Sequence, residues 1–179
     1  MNRRKFLAVS GAGLLTAGGV AHAASPSSVR TTTARLSYEQ LNDYVPQSLA
    51  VCTPSEAGYI GVLEMSPADA IAAFKRRGFS EYYLSYLHAY ERDDGIIYER
   101  GNLVRLSDDG DWQLHARLFP RDGRTEVRGH WEPSVRNRPR AHVAGDDVDH
   151  EKGKTMIRAE FDVIDEPFSG DLSMDDRCG

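Results

Sequence analysis

This chain is poor in lysine and in cysteine, and it has no apolar run long enough to cross a bilayer comfortably. Beyond the first residues the only lysines are Lys75, Lys152 and Lys154. With Arg3, Arg4 and Lys5 set aside, the 22 basic residues fall to 19 against 27 acidic ones, a charge of −8. Such a composition lacks the clustered positive charge that general nucleic-acid binding and anionic-membrane binding both need. Cys52 and Cys178 are the two cysteines, and neither sits in a Cys-x-x-Cys pair, which argues against a thiolate metal site. Gly-x-Ser-x-Gly is absent, so nothing supports a hydrolase nucleophile elbow. His-x-His and His-Glu-x-x-His are absent too, and the body has no Gly-rich phosphate loop. The 40% hydrophobic fraction is nevertheless enough for an ordinary core.

What is present begins at the N-terminus. Arg3-Arg4-Lys5 precede Phe6 and Leu7, and a mildly apolar stretch runs from Phe6 to Val20, diluted by Gly11, Gly13, Gly18 and Gly19. It leads to Ala21-His22-Ala23, a small-x-small cleavage pattern. Residues 1–24 resemble a twin-arginine export signal. That resemblance implies export of a folded protein, with the twin-arginine (Tat) translocase as partner during export. It also implies a periplasmic or extracellular destination and a mature chain without a membrane span. Residues 25–50 read as a Ser/Thr/Arg-rich leader with room for a short helix after Ser37.

Tyr59 to Leu63 reads as a strand. Ser66 is a good N-cap, Pro67 suits the first helical position and Asp69 suits the positive end of the dipole, so a helix is predicted over 67–77. Ile71 and Phe74 give its apolar stripe, and Gly78 suits a left-handed stop. Four strand-like runs follow: Tyr82 to Tyr90, Ile96 to Leu106 after Asp94-Gly95, Trp112 to Phe119, and Thr125 to Trp131. The tyrosines of the first run, Tyr82, Tyr83, Tyr86 and Tyr90, fit the core and rim of a sheet. Residues 133–145 look irregular. A last helix is expected from Asp149 to Val163, with Met156, Ala159, Glu160 and Val163 on one face, and Gly153 should weaken it by roughly 1 kcal/mol relative to Ala. Residues 51–166 are therefore expected to form one α+β domain, followed by an acidic tail, 167–179. Its plan is an antiparallel β-sheet of about five strands with a packed helix, in β-α-β-β-β-β-α order. In general layout this resembles cystatin-like and helix-grip arrangements.

Several residues could carry chemistry. In an oxidising compartment an even cysteine count suggests a Cys52–Cys178 bridge that pins the tail; two free thiols are the alternative. Alternation puts Gln113, His115 and Arg117 on one face of their strand, and Glu126, Arg128, His130 and Glu132 on one face of the next. A two-residue Asp122-Gly123 turn would set His115 opposite His130, Arg117 opposite Arg128 and Gln113 opposite Glu132. Three readings of this face stay open. It is a solvated polar face; or it binds an anion or small molecule; or it holds one transition metal such as zinc. In the third reading His115, His130 and His142 are ligands and Glu132 is a ligand or general base. The first two call for no cofactor.

The segment 117–142 also reverses the local charge. Arg117, Arg121, Arg124, Arg128, Arg136, Arg138 and Arg140 outnumber Asp122, Glu126 and Glu132. Guanidinium forks suit carboxylates and phosphates, which makes Arg117, Arg128, Arg136, Arg138 and Arg140 candidates for an anionic small molecule. Pairing with the acidic runs at 108–111, 146–147 and 175–176 is the alternative. By sequence alone, the first reading is an exported, non-catalytic binding domain using the polar face and the Arg-rich loop. A metal-dependent, hydrolytic enzyme and a purely structural protein are the alternatives.

Overall fold

A computed structural model describes residues 51–82 and 87–173. The expected signal and leader, Tyr83, Tyr86 and Cys178 lie outside the described residues. The elements in chain order are β1 (Val51–Cys52), a 3-10 turn (Glu56–Gly58), β2 (Tyr59–Leu63), α1 (Pro67–Arg76) and β3 (Ser80–Glu81). Then come β4 (Leu87–Arg92), β5 (Gly95–Tyr98), β6 (Gly101–Leu106), β7 (Trp112–Arg121) and β8 (Arg124–Pro133). Two helices, α2 (Pro139–Ala144) and α3 (His150–Glu160), complete the order.

The strands form a five-stranded antiparallel sheet, β2-β8-β7-β6-β3, and a small sheet, β1-β4-β5. Within the small sheet β1 runs parallel to β4. The α+β class with a five-stranded antiparallel sheet is as expected from the sequence. Two expected strands differ. Of the described residues in the Tyr82–Tyr90 run, Tyr82 is outside any strand and Leu87 to Tyr90 lie in β4, and the Ile96–Leu106 run breaks at Glu99-Arg100. The break has a hydrogen-bonding cause: Glu99 N–H donates to His88 O (2.9 Å) in the small sheet, and the next residue, Arg100, donates to Leu118 O (2.7 Å) in the large one. The chain changes sheets between two neighbouring amides. The segment expected to be irregular contains α2, which starts at Pro139 and ends at Gly145 with φ 70°.

Helix α1 forms as its caps require. Ser66 Oγ accepts from Asp69 N–H, Pro67 opens the helix, and Gly78 takes φ 84° beyond its end. Its apolar face, Ala70, Ala73 and Phe74, packs on Leu103, Leu114, Ala116, Leu118 and Val127 of the large sheet. Phe74 stacks on Phe161 with ring centres 4.1 Å apart. The β7–β8 hairpin closes through Asp122 (φ 52°) and Gly123 (φ 79°), two left-handed residues as a type I′ turn requires. The register is the one that turn dictates: His115 opposite His130, Arg117 opposite Arg128, Gln113 opposite Glu132.

Helix α3 lies closer to the sheet than its apolar pattern suggested. Its buried residues are Gly153 and Ile157, whereas Met156 and Val163 pack only at the edge of the core. The helix start is stitched to β8 by paired backbone bonds between Asp149 and Trp131 (2.8 and 2.9 Å). A Cβ on Gly153 would sit 2.4 Å from His130 Cα, and one on Gly129 would sit 2.8 Å from Ile157 Cδ1. Two glycines therefore permit the close contact.

The chain past α3 forms a strap across the other face. Ile164 exchanges backbone bonds with Val62 of β2, and Asp171 does so with Glu91 of β4. Between them Phe168 covers the buried Arg128 guanidinium at 4.4 Å. Because Gly153 serves a close approach, Gly153→Ala should lower stability despite the higher helix propensity of Ala. The expected loss, from overpacking, is roughly 1–3 kcal/mol, read as a lower urea midpoint at unchanged slope.

Candidate metal centre

The polar face of β7 and β8 is largely shielded from solvent, with Arg117 and His130 half-buried. Gln113, His115, Glu126, Arg128 and Glu132 are all buried. The expectation of a solvated face is thereby corrected. A half-buried sheet exposes a polar face only if nothing packs on it, and here the small sheet, Tyr82 and the strap do. Tyr90 of β4 donates to Glu126 (2.9 Å), and the Tyr82 ring meets the His115 ring edge-on at 5.6 Å.

Glu132 is the hub of this layer. Its Oε1 accepts from Gln113 Nε2 (2.7 Å) and faces His115 Nδ1 at 3.0 Å. Its Oε2 lies 3.1 Å from His130 Nε2 and 3.5 Å from His142 Nδ1. The hairpin register delivers Gln113 opposite Glu132 and His115 opposite His130, and alternation puts His130 and Glu132 on the same side of β8. The His115 and His130 rings are 5.0 Å apart at 74°. His115, His130 and Glu132 each offer one ligand atom, and these atoms lie within 4.8 Å of one another. His142 is close but differently engaged: its Nδ1 also faces Pro133 O at 3.0 Å, and its Nε2 lies 3.4 Å from the Tyr82 hydroxyl. A fourth imidazole, His150 at the start of α3, meets His130 at 5.5 Å, and its buried Nδ1 has no hydrogen-bond partner among the described residues.

The protons on this cluster can be counted. Asn102 Nδ2 donates to Glu99 Oε1 (3.2 Å), so Asn102 Oδ1 is the atom facing His115 Nε2 at 2.7 Å. His115 therefore carries its proton on Nε2. Burial, reinforced by the Arg117 charge, pushes its pKa down to about 3, against the pull of Glu132, so the ring is neutral near pH 7. Burial of Glu132 opposes its ionisation, but hydrogen bonds from His115 and His130 outweigh that and hold it below the ordinary carboxylate range. In the neutral ring protonated on Nε2, Nδ1 would present a lone pair to Glu132 Oε1 3.0 Å away, whereas the imidazolium donates to that oxygen. A ring without a proton on Nδ1 leaves two acceptors at that distance, an arrangement that a cation would satisfy. His115, His130 and Glu132 would hold such a cation, which would supply Lewis-acid chemistry there. Asn102 acts as the outer partner that fixes the tautomer of a ligating imidazole.

The arginines are distributed otherwise. Arg117 donates to Glu99 Oε2 (2.7 Å), and buried Arg128 donates to Glu126 Oε1 (2.7 Å) and Ser55 O (2.9 Å). Arg138 reaches Asp147 (3.4 Å) and lies over Trp112 at 4.6 Å, while Arg136 and Arg140 are exposed. Asn102 and Tyr82 carry no motif; Asn102 joins the cluster because β6 pairs with β7, and Tyr82, just past β3, because its ring meets His115. Gln113 was legible as the partner of Glu132 from the hairpin register alone. No helix of the described residues is long and apolar enough to cross a membrane. No protein-family model, curated protein or solved structure matches this chain.

The His115 proton count has a measurable consequence in metal-free protein. A histidine with a depressed folded pKa stabilises above its unfolded value of 6.5 and loses that stability as pH falls toward about 3. Chelator-treated protein should therefore lose stability across that window, and His115→Gln should flatten the loss. Stability that holds below pH 6.5 would mean that His115 is an imidazolium paired with Glu132.

Proposed function

We propose that this chain is an exported metal-binding domain that holds one first-row divalent cation, such as zinc, at His115, His130 and Glu132. The observation that supports this most directly is that ligand atoms of His115, His130 and Glu132 lie within 4.8 Å of one another, with His115 Nδ1 3.0 Å from Glu132 Oε1 and its Nε2 facing Asn102 Oδ1 at 2.7 Å. Two imidazoles and a carboxylate are a nitrogen–oxygen set suited to zinc and its neighbours. Three protein ligands leave coordination positions for water or a small anionic molecule. This centre therefore also underlies the hydrolytic reading of the same residues. Folding around a metal before export is a reason for a chain with Arg3-Arg4 to use the twin-arginine route. On this reading the translocase is its partner during export, the mature protein works in the periplasm or outside the cell, and Cys52 pairs with Cys178.

Metal content tests the proposal. Mature protein purified without chelator should carry close to one equivalent of a transition metal by elemental mass spectrometry. The His115→Ala/His130→Ala double variant should lose it, and Glu132→Gln should weaken binding by 10-fold or more. Substoichiometric metal that does not depend on these residues would overturn the reading.

A second reading rests on the exposure of Arg136 and Arg140 beside Arg138. These residues would bind an anionic ligand approaching along α2, whose His142 touches Glu132. Phosphate or a small carboxylate should then raise the melting temperature, and Arg136→Ala/Arg140→Ala should abolish the rise. An unchanged shift in that variant would remove the loop from consideration.

A further inference from the structure

We infer that Arg128 and the rings around it form a binding site for a small aromatic carboxylate, a site that Phe168 of the strap fills in part. It shares no residue with the metal centre or with the exposed arginines of the second reading. Arg128 exposes 2% of its surface, and its guanidinium is incompletely satisfied. Nε donates to Glu126 Oε1 (2.7 Å), and Nη1 donates to Ser55 O (2.9 Å). The other carboxylate oxygen of Glu126 accepts from Tyr90 Oη (2.9 Å), so it is spent on the phenol. Nη2 is left buried without a hydrogen-bond partner among the described residues. A guanidinium fork suits paired bonds to a carboxylate, and a buried donor left unmet is unfavourable. What lies over the guanidinium is aromatic: Phe168 at 4.4 Å, Tyr90 at 5.4 Å and Tyr59 at 5.5 Å.

Phe168 behaves as a ligand ring supplied by the chain itself. It meets the Tyr90 ring edge-on at 5.2 Å and the Tyr59 ring at 5.6 Å. It is half-buried, whereas Pro167 and Ser169 on either side of it are exposed. The strap therefore meets the aromatic half of what Arg128 can hold and offers nothing to Nη2. Next to the ring, the groups beneath the strap are donors. Tyr59 Oη donates to Glu166 O (2.6 Å), and Arg121 Nη2 donates to Pro167 O (3.2 Å) and lies 3.4 Å from the Glu166 carboxylate. An aromatic carboxylate joins both halves. Its ring takes the place of Phe168 and its carboxylate accepts from Arg128 Nη2, with Arg121 and Tyr59 as the next donors. The strap stays tethered by Ile164 on β2 and by Asp171 on β4, so Phe168 competes from within the chain. Its fit depends on Gly170, where a Cβ would sit 2.4 Å from Tyr90 Cδ2 and 2.5 Å from Phe168 Cζ.

The test titrates phenylacetate into the purified chain and two variants, with calorimetry as the readout. An internal competitor lowers apparent affinity by the fraction of chains it leaves open, so Phe168→Ala should bind phenylacetate about 10-fold more tightly than the unaltered chain. Gly170→Ala, whose methyl group displaces Phe168, should change affinity in the same direction and gives a second route if the first variant folds poorly. In Phe168→Ala, phenylacetate should also bind about 10-fold more tightly than 2-phenylethanol, which keeps the ring without the carboxylate, and than acetate, which keeps the carboxylate without the ring. Metal stoichiometry should be the same in all three proteins, which separates this site from the metal centre. No gain in affinity in either variant would overturn the inference. So would equal binding of phenylacetate and 2-phenylethanol, because the polar half of the site would then be idle.

Discussion

The register of the β7–β8 hairpin decides which polar groups share the interior. Asp122 and Gly123 both take left-handed backbone angles, so the turn holds two residues and each cross-strand pair follows from it. A slip of one residue would turn His115 and Glu132 onto the helix face and drive Leu114 and Val127 into the polar layer. Such a slip would leave several charges unpaired in a buried place, a cost far above that of the turn itself. The hairpin is thus pinned by apolar packing on one side and by hydrogen bonding on the other.

Three carboxylates occupy the buried layer, and their partners differ in kind. Glu99 is met by Arg117 and Glu126 by Arg128, guanidinium groups that keep their charge at any ordinary pH. Glu132 is met by Gln113 and by imidazoles from His115, His130 and His142. Imidazoles can give up a proton and offer a lone pair instead. Of the three carboxylates, Glu132 is the one whose counter-charge can be exchanged for a metal ion without breaking a permanent ion pair. The other two hold the layer together around it.

The two outer layers act on this interior from opposite sides. Helix α3 reaches the back of β8 at His130 because Gly153 has no side chain to keep it away. The small sheet and the strap close the front, with Tyr90 bonded to Glu126 and Phe168 over Arg128. Both covers meet the hairpin at residues next to the candidate ligands, so the cluster is held by tertiary packing as much as by its own strands.

Much of this was legible in the residues. Ser66-Pro67 and Gly78 bracket α1, Asp122-Gly123 sets the hairpin, and alternation along Gln113–Arg117 and Glu126–Glu132 places the polar groups on one face. These are local rules, satisfied within a few residues of chain. What covers that face was not legible, since burial depends on segments far away in sequence: Tyr82, Tyr90 and Phe168. Nor was the tautomer of His115, which rests on Asn102 and through it on Glu99, or the need for glycine at 153, which reads locally as a weak helix position. Local sequence determined which groups lie side by side. Only the tertiary structure removed them from water, and removal from water is what makes a proton or a metal ion matter at Glu132.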